Sequence, residues 1–281
     1  MGKSREDFLI ELKEKARELR IEILDMTTRA GSGHPSSSWS SVEIVTALYF
    51  GNVLNFRPKE PLWEDRDRFI MSKGHAAPLL YAALAHSGYF GLEELKRLRE
   101  VDSPVQGHPI QGLMPGIEAT TGSLGQGLSL GLGHVLGGKL AEKKYRVYVL
   151  LGDGECEAGQ IWEAAMAAAH FKAGNLVAIL DYNKFQETGP ISREMGLEPL
   201  VDKWKSFGWT VHEVNGHNME EILDKFQLVK QLEDTGKPQI IIAHTIKGKG
   251  VSFVEADFTF HGRALNEEQA KLAREELNAA R

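Results

Sequence analysis

Two acidic stretches carry the sharpest chemistry in this sequence. LLGDGECEAGQ sets Asp153 between Gly152 and Gly154, and ILDYNKFQETG sets Asp181 and Asn183 just past a second apolar run. Both runs read as buried strands, so two parallel strands ending at one sheet edge would bring Asp153 and Asn183 together. A dinucleotide fingerprint would need Gly at 152, 154 and 157, but position 157 is Glu. An acid in such a turn repels a phosphate unless a divalent cation lies between them. The Asp153 carboxylate, the Asn183 side-chain oxygen and the Phe185 backbone carbonyl would give an all-oxygen partial shell. That shell suits Mg2+, completed by phosphate oxygens and water. A calcium EF-hand fails, because Ala158 and Ala164 stand where Gly and Glu are required. An isolated GDG is more often a tight turn, and an isolated Asn a cap; their pairing at successive strand ends reverses that weighting.

Other patterns are weaker. KGKG (247–250) has neither the spacing of a Walker loop nor a following Ser or Thr. No G-x-S-x-G and no H-E-x-x-H occurs, so serine-hydrolase and zincin chemistry lack support.

These groups need a scaffold. Leu9, Leu12, Ala16, Leu19, Ile23 and Met26 recur at spacings of three and four, which predicts an amphipathic helix over 4–30 ending near Gly31. Helical patterns follow at about 40–54, 76–87 and 92–100, with RFIMS (68–72) as a short strand between them. Residues 103–116 read as loop, and a Gly-rich helix follows the TTGSLGQG block. The second half alternates: strands RVYVLL (146–151), LVAILD (176–181), WTVHEV (209–214) and QIIIAHT (239–245), with helices at GQIWEAAMAAAHFKA and 219–234. Asn266 with Gln269 predicts a capped terminal helix over 266–280. Continuous apolar strands separated by helices imply an α/β fold: one doubly wound parallel sheet with helices on both faces, in a single domain over 1–281.

Composition narrows the partners. Lys and Arg number 33 against 39 Asp and Glu, a net charge of −6, so a nucleic-acid role is not expected. One cysteine, Cys156, excludes an internal disulfide framework and a Cys-rich zinc site. The N-terminus has no apolar signal region and no run approaches a membrane span, so a cytoplasmic address is expected. Glycine is 29 of 281 residues, above the usual ~7%.

GDG followed by Asn after the next strand resembles the motif of thiamine-diphosphate enzymes. Six further blocks resemble transketolase more narrowly: SGHP (32–35), SKGHA (72–76), GHP (107–109), TTGSLGQG (120–127), KGKG (247–250) and HG (261–262). They occur in the family's order and cover nearly the whole chain, corresponding to the diphosphate-binding half of the enzyme. The resemblance implies thiamine diphosphate and Mg2+ as cofactors, with Asp153, Asn183 and the Phe185 carbonyl as metal ligands. It implies diphosphate contacts from Gly154, His75 and His261 beside Gly152, and a ring environment from Gly122 and Leu124. His34 and His108 would face the sugar, with His261 near both groups, as catalytic residues. Neutral or charged imidazoles at those places can donate to phosphate or move hydroxyl protons. The other histidines, 86, 134, 170, 212, 217 and 244, are read as ordinary loop or core residues.

Three positions depart from the family pattern. Ala158-Gly159 replaces a Glu-Gly pair whose Glu joins the two cofactors through an acidic network; Glu157 and Glu163 are the candidates to substitute. Ser36 stands where a Gly-like residue is usual, and Glu187 where an apolar residue packs near the cofactor ring. The carboxylate that activates the aminopyrimidine belongs, in the family, to a pyrimidine-binding half that this sequence does not show. The expectation is therefore the N-terminal subunit of a split transketolase, paired with a C-terminal subunit in a heterotetramer of two of each chain. Together they would transfer a two-carbon ketol unit from a ketose phosphate to an aldose phosphate. Two alternatives remain open here: half of a deoxyxylulose-phosphate synthase-like enzyme, and a catalytically silent cofactor-binding partner.

Overall fold

The structure, a computed structural model, describes residues 3–232 and 235–279. Five strands form one parallel sheet in the order β1-β2-β3-β5-β4: β1 Arg68–Met71, β2 Val147–Gly152, β3 Leu176–Tyr182, β4 Thr210–Asn215 and β5 Gln239–His244. All five expected strands are present. Because successive side chains point to opposite faces, each central strand must be apolar throughout when both faces are covered. Tyr148, Leu150, Val177 and Ile179 enter one core, while Val147, Val149, Leu151, Ala178 and Leu180 enter the other.

Helices cover the two faces. On the first lie α1 (Arg5–Ala30), α2 (Pro35–Trp39), α3 (Val42–Phe50), α4 (Ala77–His86), α9 (Met219–Gln231) and α10 (Glu267–Ala279). On the second lie α5 (Gln126–Leu140), α6 (Gly159–His170), α7 (Ile191–Glu194) and α8 (Leu200–Ser206). The Ser4 hydroxyl accepts from the Asp7 amide to start α1, and Gly31 ends it in the left-handed region at φ 59°. Asn266 and Gln269 exchange side-chain bonds with each other's amides at 2.9 and 3.2 Å, the expected capping box at the start of α10. Position 280 and residues 233–234, which closed two expected helices, lie outside the described residues.

The helix expected over 40–54 is present as the shorter α3, and Ser40 and Ser41 separate it from α2. Ser40 Oγ donates to the Asp181 carboxylate at 2.6 Å, which ties the residues before α3 to the end of β3. Residues 92–97 form 3-10 turns instead of an α-helix. The short helices α7 and α8 were not expected.

Candidate active site

Four strand ends open on one cavity of about 430 Å³ at the carboxyl edge of the sheet. Past β1 come Lys73 and His75; past β2 come Asp153, Gly154 and Glu155; past β3 come Asn183 to Thr188; and past β5 comes Lys247. Loops add His34 and Ser37, His108 with Gly122 and Leu124, and His261.

The register aligns Gly152 with Asp181, so the residues just beyond each strand are neighbours. Asp153 accepts from the Gly154 amide at 2.8 Å and, across the gap between strands, from the Lys184 amide at 2.5 Å. Burial, with repulsion from Asp181 added, pushes its carboxyl up to about 7. The Asn183 amide nitrogen donates to Asp181 at 3.1 Å, which turns its oxygen to the other side, where it accepts from the Phe185 amide. The Asp153 carboxylate and the Asn183 amide oxygen therefore border the same cavity. Among the described residues no three His, Cys, Asp or Glu side chains group as a metal cage. A cation here would have to draw on that oxygen pair, backbone carbonyls and a ligand's own oxygens, a donor set that fits Mg2+.

Beneath the wall lies a buried ion pair. The Lys73 ammonium donates to Asp181, to the Ser37 carbonyl at 2.8 Å and to Ser41 Oγ at 3.2 Å, which uses its three protons. Asp181 also accepts from Ser40, Thr245 and Asn183. Burial alone would raise the Asp181 carboxyl, but the Lys73 charge and these donors outweigh it and hold the group at about 2. This pair is a foundation, not a ligand.

Three histidines cluster on the same cavity. The ring centres of His34 and His75 are 5.2 Å apart, those of His34 and His261 5.5 Å, and those of His75 and His261 5.2 Å. Burial, reinforced by nearby cations, lowers His34 to about 4 and His261 to about 3 and holds His75 well below the usual range. All three are therefore neutral at pH 7. Lys247 Nζ lies 2.9 Å from His261 Nδ1; an ammonium only donates, so Nδ1 accepts and Nε2 carries the proton. Burial and repulsion from Lys73 lower Lys247 itself to about 8. His34 Nδ1 is buried without a protein partner among the described residues. An unpaired buried polar atom, neutral N–H donors and a buried ammonium make a lining that suits an anionic ligand.

Every expected site residue except Glu163 borders this cavity. His108 packs on Gly122, where φ is 148° and a side-chain carbon would come within 3.2 Å of the imidazole. Leu124 sits 42% exposed at the rim. Glu163 lies elsewhere: α6 turns Ile161, Ala164, Ala165 and Ala168 inward, which leaves Glu163 on the exposed face. Glu157 also misses, bordering a separate hollow with Cys156 and Trp162. Neither side chain stands in for the missing acid at Ala158 within this cavity. Glu187 does line the cavity, from an exposed position. Sequence reasoning missed Lys73, Lys247, Glu155 and Asp181 as parts of the site. The first two were visible within SKGHA and KGKG, and Glu155 as an acid directly after the GDG turn.

Residues 12–280 match the family described as "Transketolase, thiamine diphosphate binding domain". The chain belongs to the transketolase family. It is 42% identical over 268 residues to the 6-deoxy-6-sulfo-D-fructose transketolase subunit SqwG of Clostridium sp. (strain MSTE9), covering 95% of this chain and 96% of that one. It is 40% identical over 269 residues to an apulose-4-phosphate transketolase subunit of Actinobacillus succinogenes, covering 95% and 96%. Its fold superposes on a solved transketolase from Pichia stipitis with a TM-score of 0.90 at 31% identity. That match covers 95% of this chain but 40% of the solved one, so the chain spans about two-fifths of that transketolase. In extent the chain matches one subunit of a split transketolase, a transferase.

Proposed function

We propose that residues 1–281 act as one diphosphate-binding unit for thiamine diphosphate and Mg2+. With a separate pyrimidine-binding subunit, the unit transfers a two-carbon ketol group from a ketose phosphate to an aldose phosphate. The observation that carries this reading is a single cavity lined both by Asp153 and Asn183 and by three neutral histidines. Asp153, Asn183 and the Phe185 carbonyl would hold the metal ion, an all-oxygen set whose charge would offset that of a diphosphate. His75 and His261 donate to those oxygens beside the Gly152 and Gly154 backbone, and Lys247 fixes the tautomer of His261. Gly122 and Leu124 border the cofactor rings.

When bound, thiamine diphosphate supplies the carbanion chemistry by which the two-carbon unit leaves one sugar and joins another. His34 and His108 then hold and move protons at the sugar's carbonyl and hydroxyl oxygens, a task for imidazoles that are neutral at working pH. No described helix is long and apolar enough to cross a membrane, and the site of action we propose is the cytoplasm. A heterotetramer of two of each subunit is the assembly.

The test is a mixing assay. The chain and its partner are purified separately, then combined with thiamine diphosphate, Mg2+, xylulose 5-phosphate and ribose 5-phosphate. Release of glyceraldehyde 3-phosphate is followed. The donors named for the two relatives, 6-deoxy-6-sulfo-D-fructose and apulose 4-phosphate, are tried in parallel. Activity is expected only from the mixture. Ketol transfer by this chain alone, or none from the mixture with any donor, would overturn the proposal.

A further inference from the structure

Glu155 stands where an anion is least welcome. Its carboxylate is 2% exposed, lines the cavity proposed to take a diphosphate, and sits two residues from Asp153. Buried acids are tolerated when their oxygens are fully used by donors. Here the donors come from three separate segments. Oε1 accepts from Ser72 Oγ at the end of β1 and from the Gly125 amide at 2.8 Å, at the start of α5. Oε2 accepts from the Gly152 amide at 3.0 Å, at the end of β2.

Those bonds join segments whose backbones already touch. A side-chain carbon on Gly74 would come within 2.9 Å of the Gly122 amide nitrogen, and one on Gly127 would collide with Ser72 Oγ. Gly125 holds a left-handed conformation at φ 88°, which aims its amide at Glu155 and reverses the chain between Leu124 and α5. The loop that presents Gly122 and Leu124 to the cavity is thus tied down at its far end by one carboxylate. Among the described residues, Glu155 supplies the side-chain oxygen that each of these two glycine amides meets.

We propose that Glu155 is a positioning residue: its carboxylate clamps the ends of β1 and β2 to the turn before α5, and so holds Gly122 and Leu124 in register with Asp153. The clamp itself is independent of any ligand, whereas its effect on cofactor affinity rests on the function proposed above.

The experiment uses the full chain with Glu155→Gln, Glu155→Ala and Ser72→Ala. Amide hydrogen exchange is read at Gly125, Gly152 and, as a control in the sheet, Ala178, without cofactor. Thiamine diphosphate affinity is then measured with Mg2+ by tryptophan fluorescence. Glu155→Ala should speed exchange at Gly125 and Gly152 by about tenfold or more while Ala178 keeps its wild-type rate. Glu155→Gln retains one carbonyl oxygen for Ser72 and Gly125 but sets an NH2 group against the Gly152 amide. It should therefore expose Gly152 selectively, which a general loss of stability would not do. Ser72→Ala, losing a neutral donor, should change both amides by less than about threefold. Cofactor dissociation should rise about tenfold in Glu155→Ala. Turnover with the partner present is read at low and at saturating cofactor, and the loss should be larger at low cofactor.

Wild-type exchange at both glycines in Glu155→Gln, or faster exchange spread evenly over the sheet, overturns the clamp. If Glu155→Ala does not fold, the Gln variant decides alone. If the wild-type chain binds no thiamine diphosphate, the proposed function fails, while the exchange comparison still decides the clamp.

Discussion

Lys247 Nζ lies 2.9 Å from His261 Nδ1, and this single contact sets which nitrogen of the imidazole carries its proton. After burial, the Lys247 charge is the largest influence keeping His261 at about 3. Lys247→Met should therefore raise the His261 pKa toward its ordinary value near 6.5 and release the Nδ1 tautomer. Nitrogen NMR of the imidazole reads both changes; an unshifted titration would show that Lys247 does not govern the ring.

Asp153→Asn should abolish the Mg2+-dependent gain in thiamine diphosphate affinity, because the carboxylate proposed to hold the metal is lost. The loss expected is at least about tenfold to a hundredfold, the range seen when only a ligand's supporting partner is removed. Calorimetry with and without Mg2+ checks it, and equal affinities in variant and wild type would remove Asp153 from the metal site.

The Lys73–Asp181 pair predicts strong coupling. The two side chains are 1% and 0% exposed, so Asp181→Asn leaves an ammonium buried beside a neutral amide. Breaking such a pair costs about 3–5 kcal/mol, whereas replacing both charges costs far less than the sum. Urea unfolding of Asp181→Asn, Lys73→Met and the double variant measures the difference.

Acidity should act on stability through two opposed sets of groups. His34, His75 and His261 are held below 6.5 when folded, so the unfolded chain takes up protons first as pH falls. Their contribution is complete above about pH 6.5 and is lost toward pH 4 and 3. Asp153 works the other way: its folded value of about 7 lies above the unfolded carboxylate, so protonation below pH 7 favours the folded chain. Denaturant midpoints between pH 8 and pH 4 should fall more steeply in Asp153→Asn than in wild type. Adding Gln at the three histidines should flatten the curve.

Two glycines on one helix should respond in opposite directions. At Gly127 a methyl group would collide with Ser72 Cβ, so Gly127→Ala should destabilise by about 1–3 kcal/mol. Nothing lies within 4 Å of a methyl group at Gly133 on the same helix, so Gly133→Ala should stabilise by about 0.5–1 kcal/mol. Thermal melts of the two variants separate close packing from mere helix weakness.

The central strands were legible because a sheet covered on both faces must be apolar there at every position, as in Val147–Leu151 and Leu176–Leu180. Asp153 and Asn183 were legible because chemistry-bearing residues at successive strand ends converge. The tie from Ser40 to Asp181 was not, since the two lie 141 residues apart. Lys73 and Glu155 escaped for the same reason: a charged residue reads as surface until its partners, brought by other segments, are known. Glu163 shows the converse error, because proximity in sequence to the GDG turn says nothing about which way a helix turns it.

The strand order also sets a schedule for synthesis. β1 ends at Met71, yet its neighbour β2 begins only at Val147, and β4 at the opposite edge must wait for β5 to fill the place beside β3. At about 5–20 residues per second, the β1 segment spends several seconds with no strand to pair with. The nascent chain is thus most exposed to aggregation before its middle is made, and slow elongation through residues 72–146 would prolong that hazard.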